Sequence, residues 1–148
     1  MSSNIIYDDT IFRLQRSGGI STVFSEIQDR LPPDRAIIIF SGKIIQIERY
    51  LPIKVPDEIS GIFHSTFYRV PDKNFKGPVV TTVHDFTHER FWTGVRRQLS
   101  RAIINRAISR SDAIICVSEA TKNDLLQYRA DIPESRISVI YNGVSDSY

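Results

Sequence analysis

Residues 84–89 gather His84, Asp85, His88 and Glu89 into one short stretch, two imidazoles beside two carboxylates. An imidazole titrates near neutrality and can donate or accept a hydrogen bond, and a neighbouring carboxylate can orient it or take a proton from it. His84 and His88 are four apart, which on a helix would set both rings on one face, as metal ligation requires. The five residues before them, Val79 to Val83, have strand character instead, so His84 is expected at a strand terminus and helical register through His88 is not. That makes a metal-dependent hydrolase using His84 and His88 the rival reading. A second histidine, His64, also ends a short apolar run, and the two could meet in one crevice if their strands are neighbours. Gly18-Gly19 precedes a helical pattern, where free amides, the positive end of the helix dipole and the lack of a Cβ would admit a phosphate. Most such pairs are plain turns, and the third glycine of the dinucleotide fingerprint is missing. Cys116 lies inside the apolar run 113–117 and reads as a small hydrophobe, not a nucleophile.

The elements that must position these groups alternate. Short β-prone pieces at 4–7 and 11–14 flank Asp8-Asp9; Ile20, Val23, Phe24, Ile27 and Leu31 then recur at helical spacing until Pro32-Pro33. The continuous run 36–40 has the pattern of a parallel strand covered on both faces, and 44–47 suggests another short strand before a proline-punctuated connector to residue 59. Strands are expected at 61–64, 79–83, 113–117 and 137–141. Between them lie a helix over 95–110 and one from the N-cap Ser118 to about Arg129, with Glu119 in its first turn. Val95, Leu99, Ala102, Ile103 and Ala107 give the first of these helices an apolar side. Arg106 and Arg110 fall close to that side, which spoils a clean membrane stripe and leaves peripheral membrane contact as one reading and a solvated face as the other. Strand and helix in alternation, with apolar strands, predict an α/β doubly wound parallel sheet.

Composition limits the function classes. With 148 residues, 41% hydrophobic and 24% charged, the chain is one ordinary globular domain in size, and its formal net charge of +2 brings no run of like charges and no nucleic-acid motif. It shows neither an apolar stretch long enough to span a bilayer nor a charged-then-apolar leader, and a cytoplasmic protein is expected.

Five segments together carry a resemblance: 17–21 (SGGIS), 64–69 (HSTFYR), Thr82-Val83-His84-Asp85 with His88-Glu89, 112–122 (DAIICVSEATK) and 139–144 (VIYNGV). In this order they resemble the N-terminal domain of the family 4 retaining glycosyltransferases, enzymes of the GT-B fold whose two Rossmann-like domains face each other across a cleft. The resemblance covers essentially the whole chain and implies one half of a GT-B fold. It also implies transfer of a hexose from a nucleotide-diphosphate sugar to a saccharide or lipid-linked acceptor in surface polysaccharide synthesis, lipopolysaccharide included, with retention, no metal and no cofactor beyond the donor. By position, Gly18 and Gly19 match the family's glycine loop facing the donor phosphates, and His84 matches the histidine that contacts the transferred sugar. His64, Arg69, Asp85, Glu89, Ser118, Glu119 and Thr121 are the acceptor-side candidates. The family's donor-binding C-terminal domain is not in this sequence, so the chain alone is expected to have little activity and to need that domain in cis or in trans. A non-catalytic sugar- or phosphate-binding module is the other alternative. A site at the inner face of the cell membrane would suit a lipid-linked acceptor.

Overall fold

The computed structural model describes residues 4–42, 45–87, 91 and 93–143, leaving aside the side chain of Ile45. Among them six strands form one all-parallel sheet: β1 Ile5–Asp8, β2 Ala36–Ile39, β3 Ile62–Ser65, β4 Val79–Val83, β5 Ala113–Cys116 and β6 Ile137–Val139, in the spatial order β2-β1-β3-β4-β5-β6. The helices are α1 Thr10–Leu14, α2 Gly19–Arg30, α3 Ile45–Glu48, α4 Gly94–Arg110 and α5 Glu119–Tyr128, with a 3-10 turn at Glu134–Arg136. This is the expected doubly wound Rossmann-like arrangement.

Alternation along β4 sorts the two layers. Val79, Thr81 and Val83 face one way, where Val83 shares a core with Ile104, Ala107 and Ile108 of α4, Ile114 and Cys116 of β5 and Leu125 of α5. Ser111, which closes α4, donates to Thr81 Oγ1 at 2.7 Å on this same face. Val80 and Thr82 point to the opposite face, where α2 lies with Phe24 against Tyr7 and Ile11. The connector after α3 takes the place of a covering helix further along, where Ile53 and Val55 pack on Ile6, Phe63 and Val79.

Four local expectations give way. Residues 11–14 are helical, not extended, because side chains receive the first amides of α1: Asp8 Oδ1 accepts from Thr10 N–H at 3.0 Å and Thr66 Oγ1 from Ile11 N–H at 3.2 Å. Ile45–Glu48 is a helical turn as well; among the described residues no strand lies beside it, and its peptide groups bond locally, Tyr50 N–H to Ile47 O and Leu51 N–H to Glu48 O. β2 is an edge strand with Ile38 40% exposed, and Phe40 just past its end is 78% exposed, so the apolar run 36–40 is not the signature of a strand covered on both faces. In α4 the buried stripe is Ile104, Ala107 and Ile108, one step round from the predicted side, and Ala102 is exposed.

The strand order reverses between β1 and β3, the place where open α/β sheets leave a crevice. Here a buried plug fills it. The Asp8 carboxylate, fully buried, accepts from Thr10 N–H, from Thr66 N–H at 2.9 Å and from Thr66 Oγ1 at 2.9 Å. Three donors on one carboxylate tie the carboxyl ends of β1 and β3 together.

Candidate functional site

With the switch point closed, the open space lies one strand over, at the carboxyl ends of β3 and β4. A cavity of about 590 Å³ opens there between the start of α2, the segments that follow β3 and β4, the N-terminal half of α4, and Arg49-Tyr50 after α3. Its size falls in the range of small-molecule sites, roughly 300–1,000 Å³.

His84 stands in its wall, one residue past the end of β4, as expected of a strand terminus. Its imidazole Nε2 is buried and, among the described residues, has no hydrogen-bond partner, a costly condition for a polar atom unless a ligand meets it. Burial pushes the ring's pKa below the ordinary histidine value, with adjacent Asp85 pulling the other way, so the neutral ring prevails around neutral pH. The backbone around it is held from both sides. Thr121 Oγ1 donates to the His84 carbonyl at 3.3 Å, and Ser118 Oγ, the N-cap of α5, accepts from Thr121 N–H at 3.1 Å. Tyr68 lies on the other side, buried, its phenol hydrogen-bonded to the His84 backbone and its pKa raised by desolvation. Tyr68 has φ 56°, a left-handed conformation that side chains rarely adopt and that costs about 1–3 kcal/mol. Strain of this kind is tolerated where surrounding contacts over-determine it, and here it brings the ring into the cavity wall.

Asp85 also lines the cavity, exposed, with its Oδ1 accepting from Thr87 N–H at 2.8 Å. Gly18 and Gly19 begin α2, immediately before Ile20 in the cavity lining. No side chain caps this helix start, and a Cβ on Gly19 would meet nothing. The first amides of α2 are thus not taken up by a side-chain cap, and the Gln15 side chain packs against Gly18. Gly18 is extended, with φ 170° and ψ 170°, so neither glycine is there for a left-handed turn.

The remaining candidates are placed elsewhere. β3 and β4 are neighbours, but His64 pairs with Val80, four residues before His84, and so lies deeper. It is 8% exposed, shares a 2.9 Å hydrogen bond with Thr82 Oγ1, and packs between Tyr7 and Phe24, with ring centroids 5.5 and 5.3 Å away. The two histidines meet only through Phe24, whose ring is 6.2 Å from that of His84. Desolvation, and then the His84 charge, lower the His64 pKa to about 4. Arg69 is 5% exposed and turned toward the β2 side, donating to Leu51 O at 2.9 Å and to Ser41 Oγ. Burial lowers its pKa, opposed by the charges of Asp8, Glu48 and Asp9. Glu119 is exposed in the first turn of α5. Glu89 and His88 lie outside the described residues; among those described, no group of three or more His, Cys, Asp or Glu side chains is arranged to hold a metal ion. Nor is any described helix long and apolar enough to cross a membrane.

Sequence reasoning missed Arg49, Tyr50, Tyr68, Arg96 and Leu99, all in the cavity lining. Arg49-Tyr50 heads a connector without a motif, and nothing in a tyrosine's identity announces a left-handed backbone. Residues 13–148 match the sequence model of the family described as Glycosyltransferase Family 4. No curated protein matches the chain.

Proposed function

The chain belongs to glycosyltransferase family 4, and from that premise we propose that it forms the acceptor-side half of a sugar-transferring cleft, with a second, donor-binding domain supplied in cis or in trans. The reading is carried by the orphaned Nε2 of His84, buried in the wall of the 590 Å³ cavity at the sheet's carboxyl edge. A neutral imidazole there can donate to or accept from a sugar hydroxyl beside the reacting carbon without the cost of desolvating a charge. The Thr121 and Tyr68 bonds to the backbone fix where that ring stands.

The donor is a nucleotide-diphosphate hexose. As the bond from the anomeric carbon to the diphosphate oxygen breaks, negative charge grows on the leaving diphosphate. The uncapped amides and dipole of α2 at Gly18-Gly19 meet that charge in place of a metal ion. An acceptor hydroxyl, on a saccharide or a lipid-linked saccharide, lies in the cavity, forms the new bond on the face the diphosphate leaves and passes its proton to that diphosphate, so the anomeric configuration is retained. Work on surface polysaccharide at the cytoplasmic side of a membrane fits such an acceptor. Because both walls of the cleft must position the reactants, this half alone turns over little.

The test is nucleoside diphosphate release by the complete two-domain enzyme. His84→Ala should cut kcat about a hundredfold with the fold intact, and Gly19→Val should raise KM for the donor more than it disturbs stability, since its side chain projects into open space. A fully active His84→Ala enzyme would remove the imidazole from the reaction.

A further inference from the structure

The two outer strands of the sheet are built differently. At one edge β6 has three residues, Ile137–Val139, and its middle side chain, Ser138, is the exposed one. At the other, β2 is Ala36–Ile39, four residues without a charge, a proline or a polar side chain, and Ile38 is exposed on it. Phe40 follows, more exposed still. Edges are ordinarily guarded by a charge, a proline or a polar side chain, because an unpaired strand is a template for another. The bonds to β1 show which peptide groups of β2 are unused. Arg35 O accepts from Ile5 N–H at 2.8 Å and Ile39 O from Asp9 N–H at 3.2 Å, so Arg35, Ile37 and Ile39 turn their peptide groups to β1. The N–H and C=O of Ala36 and Ile38 turn outward, where no strand lies among the described residues.

The surroundings of this edge select its occupant. Ala36 packs on the core under α2, so the even-numbered side chains of β2 face that helix. On the same face lies an open cavity of about 1100 Å³, with Phe12, Ile38 and Phe40 as its apolar lining. Gln28 Nε2 in its wall is buried and, among the described residues, has no hydrogen-bond partner. Charge is divided along the edge. Past the carboxyl end, Arg13 donates to Gly42 O and stands 3.9 Å from Asp9, with the exposed Arg16 in the same cavity wall. Before the amino end comes the exposed carboxylate of Asp34. A parallel copy in register would set arginines beside arginines and Asp34 beside Asp34. An antiparallel copy, turned about a two-fold axis at Ile38, complements every feature. Ile38 faces Ile38, Ala36 faces Phe40 of the second copy, small against large, and Asp34 comes level with its Gly42, beside the two arginines. No like charges oppose each other between residues 34 and 42.

We propose that two copies of this chain pair β2 against β2, antiparallel about Ile38, into one continuous sheet with six strands from each. Ile38 exchanges two peptide hydrogen bonds with its counterpart, and Phe40 of each copy covers Ala36 of the other. The arrangement leaves the sugar-transfer cleft clear, since β1 and β3 separate β2 from β4 and His84. It needs neither donor nor turnover and stands apart from the transferase reading.

Sedimentation velocity of the 148-residue chain, from about 1 to about 100 μM, should show a dimer. Ile38→Lys should raise its Kd at least about a hundredfold, because an ammonium would be set inside the strand pair, whereas Ser138→Lys at the other edge should leave it unchanged. Asp34→Arg should weaken the dimer about tenfold, and adding Arg16→Asp should restore it. Register is read separately. Antiparallel residues that exchange both bonds stand about 5.5 Å apart at Cα, within reach of a disulfide. Diamide should therefore cross-link the Ile38→Cys protein to itself and leave Ser138→Cys uncross-linked, with the buried Cys116 taking no part. Circular dichroism checks that each variant folds; Phe40→Glu serves if Ile38→Lys does not. A chain that stays monomeric throughout would overturn the proposal while leaving the transferase reading untouched. So would a dimer indifferent to both Ile38→Lys and Phe40→Glu, or one dispersed equally by Ser138→Lys. A dimer whose Ile38→Cys form fails to cross-link would have another register and would overturn it too.

Discussion

Between about pH 7 and pH 4 the fold should lose about 3 kcal/mol through His64 alone. In the unfolded chain this imidazole takes up its proton near the ordinary value of 6.5, whereas in the folded protein burial, and then His84, lower that value to about 4. Above the unfolded value both states are neutral and pH has no effect through this group. As pH falls below it the unfolded state binds the proton first, so stability drops, and the loss stops growing once the folded value is passed. At 1.36 kcal/mol per pKa step, the separation amounts to about 3 kcal/mol, about 2 of it spent by pH 5. Solvent screening changes this little, because the ring is only 8% exposed and sits between Tyr7 and Phe24. The perturbation is His64→Gln, which can keep a hydrogen bond to Thr82 and cannot take up a proton. Urea unfolding at about pH 7, 6 and 5 gives the stability of both proteins, and subtracting the two curves cancels the carboxylates they share. The variant should be the less stable at pH 7 and should lose less on acidification, closing the gap by about 2 kcal/mol at pH 5. Parallel curves would show that His64 titrates alike in the folded and unfolded states and is not buried as described, which would return it to the set of candidate ligand contacts.

Other perturbations probe the frame of the site. Asp8→Ala should cost about 3–5 kcal/mol in urea unfolding, since it strands the Thr10 and Thr66 amides and the Thr66 hydroxyl in the interior; a loss under about 1 kcal/mol would mean that water reaches the plug. Ser118→Ala should cost about 1 kcal/mol of stability through the lost cap of α5. Thr121→Val, which frees the His84 carbonyl, should lower kcat of the complete enzyme more than it lowers stability, and equal effects on both would make Thr121 purely structural. Cys116 is fully buried and its thiol pKa is pushed up to about 11 by desolvation, so a maleimide at neutral pH should label it only after unfolding. Labelling of the native protein would contradict its place in the core.

The layering was legible because it rests on local signals. Apolar runs bounded by proline and glycine gave the sheet strands, the spacing from Ile20 to Leu31 gave α2, and Ser118 marked the start of α5, since each reflects a period or a cap written within a few residues. The place of His84 at a strand terminus was legible for the same reason. The errors at 11–14 and at β2 fall where the tertiary setting overrides or leaves open a local preference. Residues 11–14 have β-branched and aromatic character, yet Thr66, more than fifty residues away, takes the Ile11 amide and favours a helix. An exposed edge strand and a buried central one can carry the same isoleucines, so the sequence of β2 could not say which it was.

By itself the sequence determined the fold class and the family, and it set a glycine start on α2 and an imidazole at the end of β4. Tertiary structure alone decided that Asp8 and Thr66 close the switch point and move the cavity over β3 and β4, that His64 lies beneath Phe24, and that Arg69 turns toward β2. It alone gathered Arg49, Tyr68 and Leu99 around His84. Strand periods and helix caps are set by neighbours in the chain; strand register, burial and the convergence of side chains from four separate segments are set by how the layers pack, and no local pattern carries that information.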